Sequence, residues 1–218
     1  MDHRILVLAT RNKGKLLELK KLLSSYPVHI KSLDDFGPIP EVLEDGKDFE
    51  ENAYKKAHFT AKVLGLPAIA DDSGLVVPAL GGEPGVRSAR YAGENADDVE
   101  NNLKLVRAMA GKEDRDAYFQ TVIAIAVPWG PALIYEGRCD GRITLKPEGA
   151  NGFGYDPVFY YPPLKKTFAQ MSLEEKNGVS HRGMAMSEMK NEFDKVLKWL
   201  ELRLKEEPQF ENEPALSG

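Results

Sequence analysis

Apolar residues recur along this chain in two rhythms, and the switches between them mark out its elements. Residues 5–9 form a short apolar run of strand length, whereas from Lys15 onward Leu16, Leu19, Leu22 and Leu23 recur at helical spacing. Residues 28–32 predict a second strand, and residues 35–40 a loop rich in turn formers. Asp48 and Glu51 have the spacing of a capping box. Phe49, Ala53, Ala57, Ala61 and Leu64 then fall on one helical face, and Gly65 ends the helix. Residues 67–78 are organised differently: an apolar run breaks at Asp71 and Asp72, and Ser73, Gly74 and a second apolar run follow. This pattern predicts two carboxylates at a strand end.

The glycine-rich stretch 81–85 is a loop, flanked by Arg87 and Arg90, which reach either an anion or a neighbouring carboxylate. Residues 97–110 predict a scaffold helix with Val99, Leu103, Val106 and Ala110 on its apolar face, stopped by Gly111. Strand signals return over 117–127, 132–135 and 142–145, so the second half extends the sheet in antiparallel fashion and the sheet as a whole is mixed. A short helical turn at 172–177 carries Lys176. Ser180 then caps a final helix whose apolar face is Met186, Met189, Phe193, Val196, Leu197 and Leu200. Residues 206–218 are polar, hold two prolines and lack periodicity, and are expected to form a mobile tail behind a single domain over 1–205.

Five of these stretches carry candidate chemistry. Burying the adjacent charges of Asp71 and Asp72 costs several kcal/mol, roughly, unless water, cations or a metal compensates. Mg2+ is the hard ion that suits carboxylate oxygens; an ordinary Asp-Asp-Ser-Gly turn is the plain alternative. Thr10-Arg11-Asn12-Lys13-Gly14-Lys15 joins a strand to a helix start, where open backbone N–H groups and the helix dipole suit a phosphate. It is not a P-loop, because Ala9 and Leu16 stand where that motif needs Gly and Ser or Thr. Glu44 lies in an acidic loop ahead of the capped helix, either solvated or turned to a site. In the loop 149–157, Phe153 stands between two glycines and is placed to stack on a ring, while Tyr155 reads as core. Arg182 in the first turn of the last helix opposes the helix dipole, so an anion or a carbonyl must hold it there.

Composition narrows the classes. A chain of 218 residues with 42% hydrophobic residues can bury a sizeable core. Its net charge of −5 argues against a nucleic-acid polymer as partner. The single cysteine, Cys139, cannot pair within the chain and reads as a small buried strand residue, which fits a reducing compartment. The first apolar run is too short for a secretory signal, and no stretch has the length of a membrane span; the cytoplasm is the default expectation.

Taken in order, the Thr-x-Asn-x-x-Lys turn, the Glu-Asp-Gly at Glu44, Ala-Asp-Asp-Ser-Gly, Gly-Phe-Gly-Tyr-Asp-Pro and Lys-x-x-x-Ser-His-Arg closely resemble the inosine/xanthosine triphosphate pyrophosphatase family. The resemblance runs from Ile5 to the end of the final helix. It implies a Mg2+-dependent hydrolase that cuts non-canonical purine nucleoside triphosphates (ITP, dITP, XTP) to monophosphate and pyrophosphate. It further implies a mixed α/β fold, with an elongated central sheet flanked by helices and two lobes around a nucleotide cleft, usually as a homodimer. Carried over by motif, Thr10, Arg11, Asn12, Lys13, Gly14 and Lys15 bind the triphosphate. Glu44 and Asp72 hold Mg2+, and Asp72 is also the proton acceptor. Ser73 contacts substrate; Phe153, Gly154, Tyr155 and Asp156 embrace the base, with Lys176, His181 and Arg182 completing the pocket. One metal ion held by Glu44 and Asp72, or a second placed with help from Asp71, are both open. Two departures from the family pattern are Asn151, where another glycine is common, and Arg11, which adds charge inside the phosphate turn. The alternatives are a related pyrimidine-directed pyrophosphatase, against which the 10–15 turn and Ser-His-Arg speak, and a non-catalytic nucleotide sensor, against which Glu44 and Asp72 speak.

Overall fold

The computed structural model describes residues 4–205, so the tail expected over 206–218 lies outside the described residues. Strands β1 (Arg4–Leu8), β2 (Val28–Ser32), β3 (Ala68–Val76), β4 (Asp116–Ala126), β5 (Ala132–Ile143), β6 (Phe159–Tyr161) and β7 (Lys166–Thr167) form one sheet in the order β2-β1-β3-β4-β5-β6-β7. β1 is parallel to β2 and to β3, and every pairing from β3 onward is antiparallel. The sheet is therefore mixed, as its sequence pattern implies. Helices α1 (Lys13–Leu22), α2 (Phe49–Leu64), α3 (Asp98–Ala108), α4 (Leu173–Val179), α5 (His181–Asn191) and α6 (Phe193–Arg203) flank it.

Alternation along the strands sorts the core into layers. On one face Leu6, Leu8, Ile69, Ile123 and Ile125 pack with Leu19 and Leu23 and with Met189, Phe193, Val196 and Leu200 of the C-terminal helices. On the other, Val7, Ala68, Ala70, Val122, Ala124 and Ala126 meet the stripe Ala53, Ala57, Ala61 of α2. Small residues on both sides let this helix lie close to the sheet. A third cluster, built on Leu75, Leu105, Met109, Phe119, Phe159 and Phe168, fills the far end, where β3, β4 and β5 run on beyond β1.

Four expectations need correction. Asp71 and Asp72 do not end a strand, because β3 continues through them for nine residues, paired to β4 at Asp71↔Ile123 and Asp72↔Val122. Charge is tolerated in mid-strand because successive side chains leave by opposite faces and each carboxylate meets cations there. Residues 132–135 and 142–143 are the two ends of one twelve-residue strand, β5, which stops short of 144–145 and in which exposed Glu136, Arg138 and Asp140 alternate with buried Gly137, Cys139 and Gly141. The final helix breaks at Glu192 into α5 and α6, yet Met189 and Phe193 enter one cluster, so the apolar spacing persists across the break. In α3 the inward face is Asn101, Asn102 and Leu105, while Val99 and Leu103 are exposed. Polar residues win that face because their amides bind loop backbone: Asn101 Oδ1 accepts from Ala92 N–H at 2.7 Å.

Asp48 caps α2 as its spacing implies, accepting from Glu51 N–H at 2.8 Å, but Glu51 reaches back one residue further, to Lys47 N–H at 3.0 Å. Cys139 is buried and unpaired, and burial pushes its thiol up to about 12.

The start of α5 is seated directly on β5 at Gly137. A Cβ there would lie 2.0 Å from the His181 carbonyl oxygen and 2.7 Å from Ala185 N. Gly137→Ala must therefore push α5 off the sheet, at a cost of about 1–3 kcal/mol. We expect the melting temperature, followed by circular dichroism, to drop by about 2–10 °C.

Candidate active site

Asp71 is the centre of one half of the site. Its carboxylate is buried and lies 2.8 Å from Lys15 Nζ on α1 and 2.5 Å from Arg182 Nη1 on α5. Arg182 Nε donates in turn to Glu18 Oε2 at 2.9 Å. Burial alone would raise the Asp71 carboxyl, but the Arg182 and Lys15 charges outweigh it and hold the group well below the usual carboxylate range. The anion that keeps Arg182 at a helix N-terminus is thus supplied by the protein itself. Asp71 is thus paired with two cations from separate helices.

Asp72 leaves β3 by the opposite face, toward α2. Lys56 Nζ lies 3.1 Å from Asp72 Oδ1 and 3.0 Å from Glu44 Oε1, so one ammonium bridges both carboxylates. Asn52, fully buried, joins the same pair from a second direction: its Nδ2 donates to Asp72 Oδ2 at 3.2 Å and its Oδ1 accepts from Gly46 N–H at 2.8 Å, two residues past Glu44. Arg90 Nη2 adds a bond to the Glu44 carbonyl oxygen at 3.2 Å. Burial raises the Asp72 carboxyl, and Lys56 and Asn52 offset only part of this. For Lys56 burial works the other way, yet the Asp72 and Glu44 charges prevail and raise its ammonium.

Both halves meet at an edge. β1 pairs with β3 only as far as Leu8↔Ile69, where Ala9 N–H still reaches Ile69 O at 2.8 Å. On that edge β3 is next engaged at Leu75, whose N–H donates to Ser88 Oγ at 2.9 Å, and at Val76, which bridges to Pro84. Backbone polar groups of alternate residues point to the same side of a strand, so those of Asp71 and Ser73 face the gap in between.

The third group comes from the loop 149–157 and the ends of α4 and α5. Asp156 is buried beside Lys176 Nζ in a close ion pair and accepts from Phe153 N–H at 2.9 Å. Burial raises the Asp156 carboxyl, with Lys176 opposing. The Phe153 ring lies 4.5 Å from Lys176 Nζ and is 74% exposed. Ser180 caps α5 by accepting from Gly183 N–H at 3.1 Å, and this turns His181 against Phe119, with the rings stacked 4.6 Å apart. Burial, aided by Lys176 and Arg182, lowers the His181 imidazole to about 3, so it is neutral at ordinary pH.

The structure thus brings together Lys15, Asp71 and Arg182; Glu44 and Asp72; and Phe153, Asp156, Lys176 and His181. Thr10 and Asn12 build the 10–15 turn: Thr10 Oγ1 accepts from Asn12 N–H at 3.2 Å and Asn12 Oδ1 from Lys15 N–H at 3.1 Å. Lys13 and Gly14 already lie in α1, with Lys13 exposed. Arg11 is turned away from the Asp71 cluster, onto Asp34 at 2.7 Å. Ser73 shares its hydroxyl with Thr121 at 2.7 Å, on the Asp71 face of the sheet. Tyr155 is core, its hydroxyl donating to Ser88 O at 2.8 Å, so any ligand meets its backbone.

Lys56 and Asn52 were missed from the sequence, although a signal existed. Both fall on the helical stripe that carries Ala53 and Ala57, and a polar residue on a buried stripe needs a partner.

Comparison with known proteins places the chain in a family. The chain is 62% identical to a dITP/XTP pyrophosphatase of Syntrophobacter fumaroxidans over 207 residues, covering 95% of this chain and 89% of that protein. It is 52% identical to a dITP/XTP pyrophosphatase of Geobacter sulfurreducens, covering 85% and 94%. The solved Ham1 protein of Staphylococcus aureus superposes with a TM-score of 0.84 at 41% identity, covering 88% of this chain and all of that one. That of Coxiella burnetii gives 0.85 at 42%, covering 88% and 99%. Residues 6–192 match the Ham1 family, and with the fold and the relatives in agreement, the chain belongs to the Ham1 family.

Proposed function

We propose that this protein hydrolyses non-canonical purine nucleoside triphosphates, of the ITP, dITP and XTP class, to nucleoside monophosphate and pyrophosphate. The observation that carries the reading is the Glu44–Lys56–Asp72 bridge beside the Lys15 and Arg182 cations, at the open edge of β3. The printed names of the relatives support it.

Mg2+ belongs to the same proposal. The two carboxylates share the Lys56 ammonium, so they lie close enough to share one cation, which supports this reading. Among the described residues no cluster of three or more His, Cys, Asp or Glu side chains is placed to hold a metal. Two carboxylates, completed by phosphate oxygens and water, are nevertheless the donor set this ion favours. When bound, Mg2+ would neutralise charge on the phosphate oxygens.

The protein's own groups supply the rest. Lys15 and Lys56 compensate triphosphate charge, and Asp72, whose proton affinity burial has raised, accepts the proton of the attacking water. Thr10 to Lys15 and Ser73 line the phosphate side of the proposed site. Phe153 stacks on the base, held with Gly154, Tyr155, Asp156, Lys176 and His181. Arg182 spends two of its five N–H donors on Asp71 and Glu18. A remaining donor suits the 6-keto oxygen of hypoxanthine or xanthine, whereas adenine's amino group would set donor against donor, a mismatch of about 1–3 kcal/mol. The family resemblance also supports one two-lobed domain acting as a homodimer. No described helix is long and apolar enough to cross a membrane, and a cytoplasmic site of action is part of this proposal.

Incubation with Mg2+ and separate ITP, XTP, dITP, GTP, ATP and UTP, resolving pyrophosphate from orthophosphate, tests the reading. Pyrophosphate from ITP, dITP or XTP far ahead of the others is expected. Orthophosphate as first product, or tight binding without turnover, overturns it.

The adjacent acids should separate cleanly on mutation. Asp72→Asn is expected to keep the melting temperature within about 2 °C while turnover falls by about 10²–10⁴-fold. Asp71→Asn leaves Lys15 without its partner and Arg182 with Glu18 alone, and should cost about 3 kcal/mol, read as a melting temperature lower by about 6 °C or more.

His181 yields a pH prediction. Its imidazole binds a proton at about 3 in the folded chain and near 6.5 unfolded, so between those values the unfolded state carries the extra proton. The contribution of His181 to stability is then expected to fall as pH drops below about 6.5, by about 3 kcal/mol at pH 4.5, with the raised carboxyls of Asp72 and Asp156 opposing it. Urea denaturation from pH 7 to 4.5 should show this slope, and His181→Phe should flatten it.

A further inference from the structure

Gly154 is held in a way that packing of the 149–157 loop does not require. Its φ is +59°, yet a Cβ built on it would meet nothing within 4 Å, so glycine is there for backbone conformation and not for want of space. Helix α3 grips its peptide units from both sides. Asp98 Oδ2 accepts from Gly154 N–H at 2.6 Å, and Asn102 Nδ2 donates to Gly154 O at 2.8 Å. Asp98 and Asn102 are four residues apart and so share one helix face. Asn102 is buried at 5% exposure, and its own carbonyl oxygen is buried with no partner. Rotating the amide would set that oxygen against the Gly154 carbonyl oxygen, so one orientation is enforced and an acceptor is left unpaired to keep it. Such an orphan costs about 1–3 kcal/mol, and the fixed loop is what it maintains.

The consequence lies on either side of the clamp. Tyr155 is anchored in the core through Ser88 O, while the ring of Phe153 projects exposed over Lys176. With Gly154 fixed, the backbone from which the Phe153 ring projects over Lys176 is fixed as well. We infer that Asp98 and Asn102 are positioning residues for base selection, acting through Gly154 on the stacking face of Phe153. This rests on the proposal that the 153–156 segment embraces the base.

The test compares Asn102→Asp, Asp98→Ala, Asp98→Asn and Phe153→Ala with the parent protein, measuring KM and kcat for ITP and ATP and hydrogen exchange across 149–157. Asn102→Asp removes the donor to Gly154 O and sets an acceptor against it. Asp98→Ala, at an exposed position that should not impair folding, removes the acceptor for Gly154 N–H, whereas Asp98→Asn retains one. Both Asn102→Asp and Asp98→Ala are expected to speed exchange in the loop, raise KM for ITP about tenfold and narrow the preference for ITP over ATP, with kcat at saturation changed less than about threefold. Asp98→Asn should stay near the parent. Faster exchange with unchanged KM and selectivity, or a fall in kcat on both nucleotides alike, would overturn the inference. Phe153→Ala separates the two levels: if it raises KM for ITP while the α3 variants do not, the clamp is wrong and the base loop stands. If it leaves KM unchanged, the base-loop reading itself fails.

Discussion

A carboxylate removed from water costs several kcal/mol, roughly, unless cations come to it, and at Asp71 they come from opposite ends of the chain. Lys15 is 56 residues away in sequence and Arg182 is 111 residues away, yet both reach the same oxygen. This cluster fastens the first helix and the last major helix pair to the central strand. The entry of α5 depends on it, and with that entry go the Ser180 cap, the seat on Gly137 and the stacking of His181 on Phe119. The next residue inherits the freedom Asp71 gives up. Asp72 leaves by the other face, and burial pushes its proton affinity up while that of Asp71 is driven down. Two adjacent acids on one strand thus sit in opposed environments, and the proposed division into a structural anion and a proton acceptor rests on that difference.

The sheet makes this division possible. β3 belongs to two neighbourhoods: its first residues lie between β1 and β4, and its later ones have β4 alone as a strand partner of comparable length. Side chains on either face remain within reach of the exposed edge, so groups from α1, α2 and α5 converge without sharing a face. The alanine stripe of α2 matters for the same reason, since only a helix lying close to the sheet brings Asn52 and Lys56 to Asp72.

Much of this was legible in the order of residues. The strand at 5–9, the capped helix at 49–64, the mixed sheet and the opposed fates of Phe153 and Tyr155 all follow from local rules. The features that local rules do not reveal depend on partners distant in sequence. Asp71 and Asp72 look like a strand end because charge in mid-strand is forbidden without cations, and nothing near them in sequence reveals Lys15, Lys56 and Arg182. The inward face of α3 is hidden from local rules because Asn101 and Asn102 are polar, and only loop carbonyls and amides 9 to 52 residues away explain why they outcompete Val99 and Leu103. The break at Glu192 left no trace because the apolar spacing continues across it.

The gap between Ile69 and Leu75 also bears on how the chain keeps to itself. An unpaired strand edge is a template on which another strand can dock, and exposed edges of this kind invite aggregation. Here the unpaired stretch carries two consecutive carboxylates with the Lys15, Lys56 and Arg182 cations around them, and on its far side Ser88 and the Pro84 bridge occupy the remaining edge. An incoming strand would have to bury fixed charge of both signs to pair there. The five charged side chains of the proposed site therefore also guard this edge against pairing with a second strand.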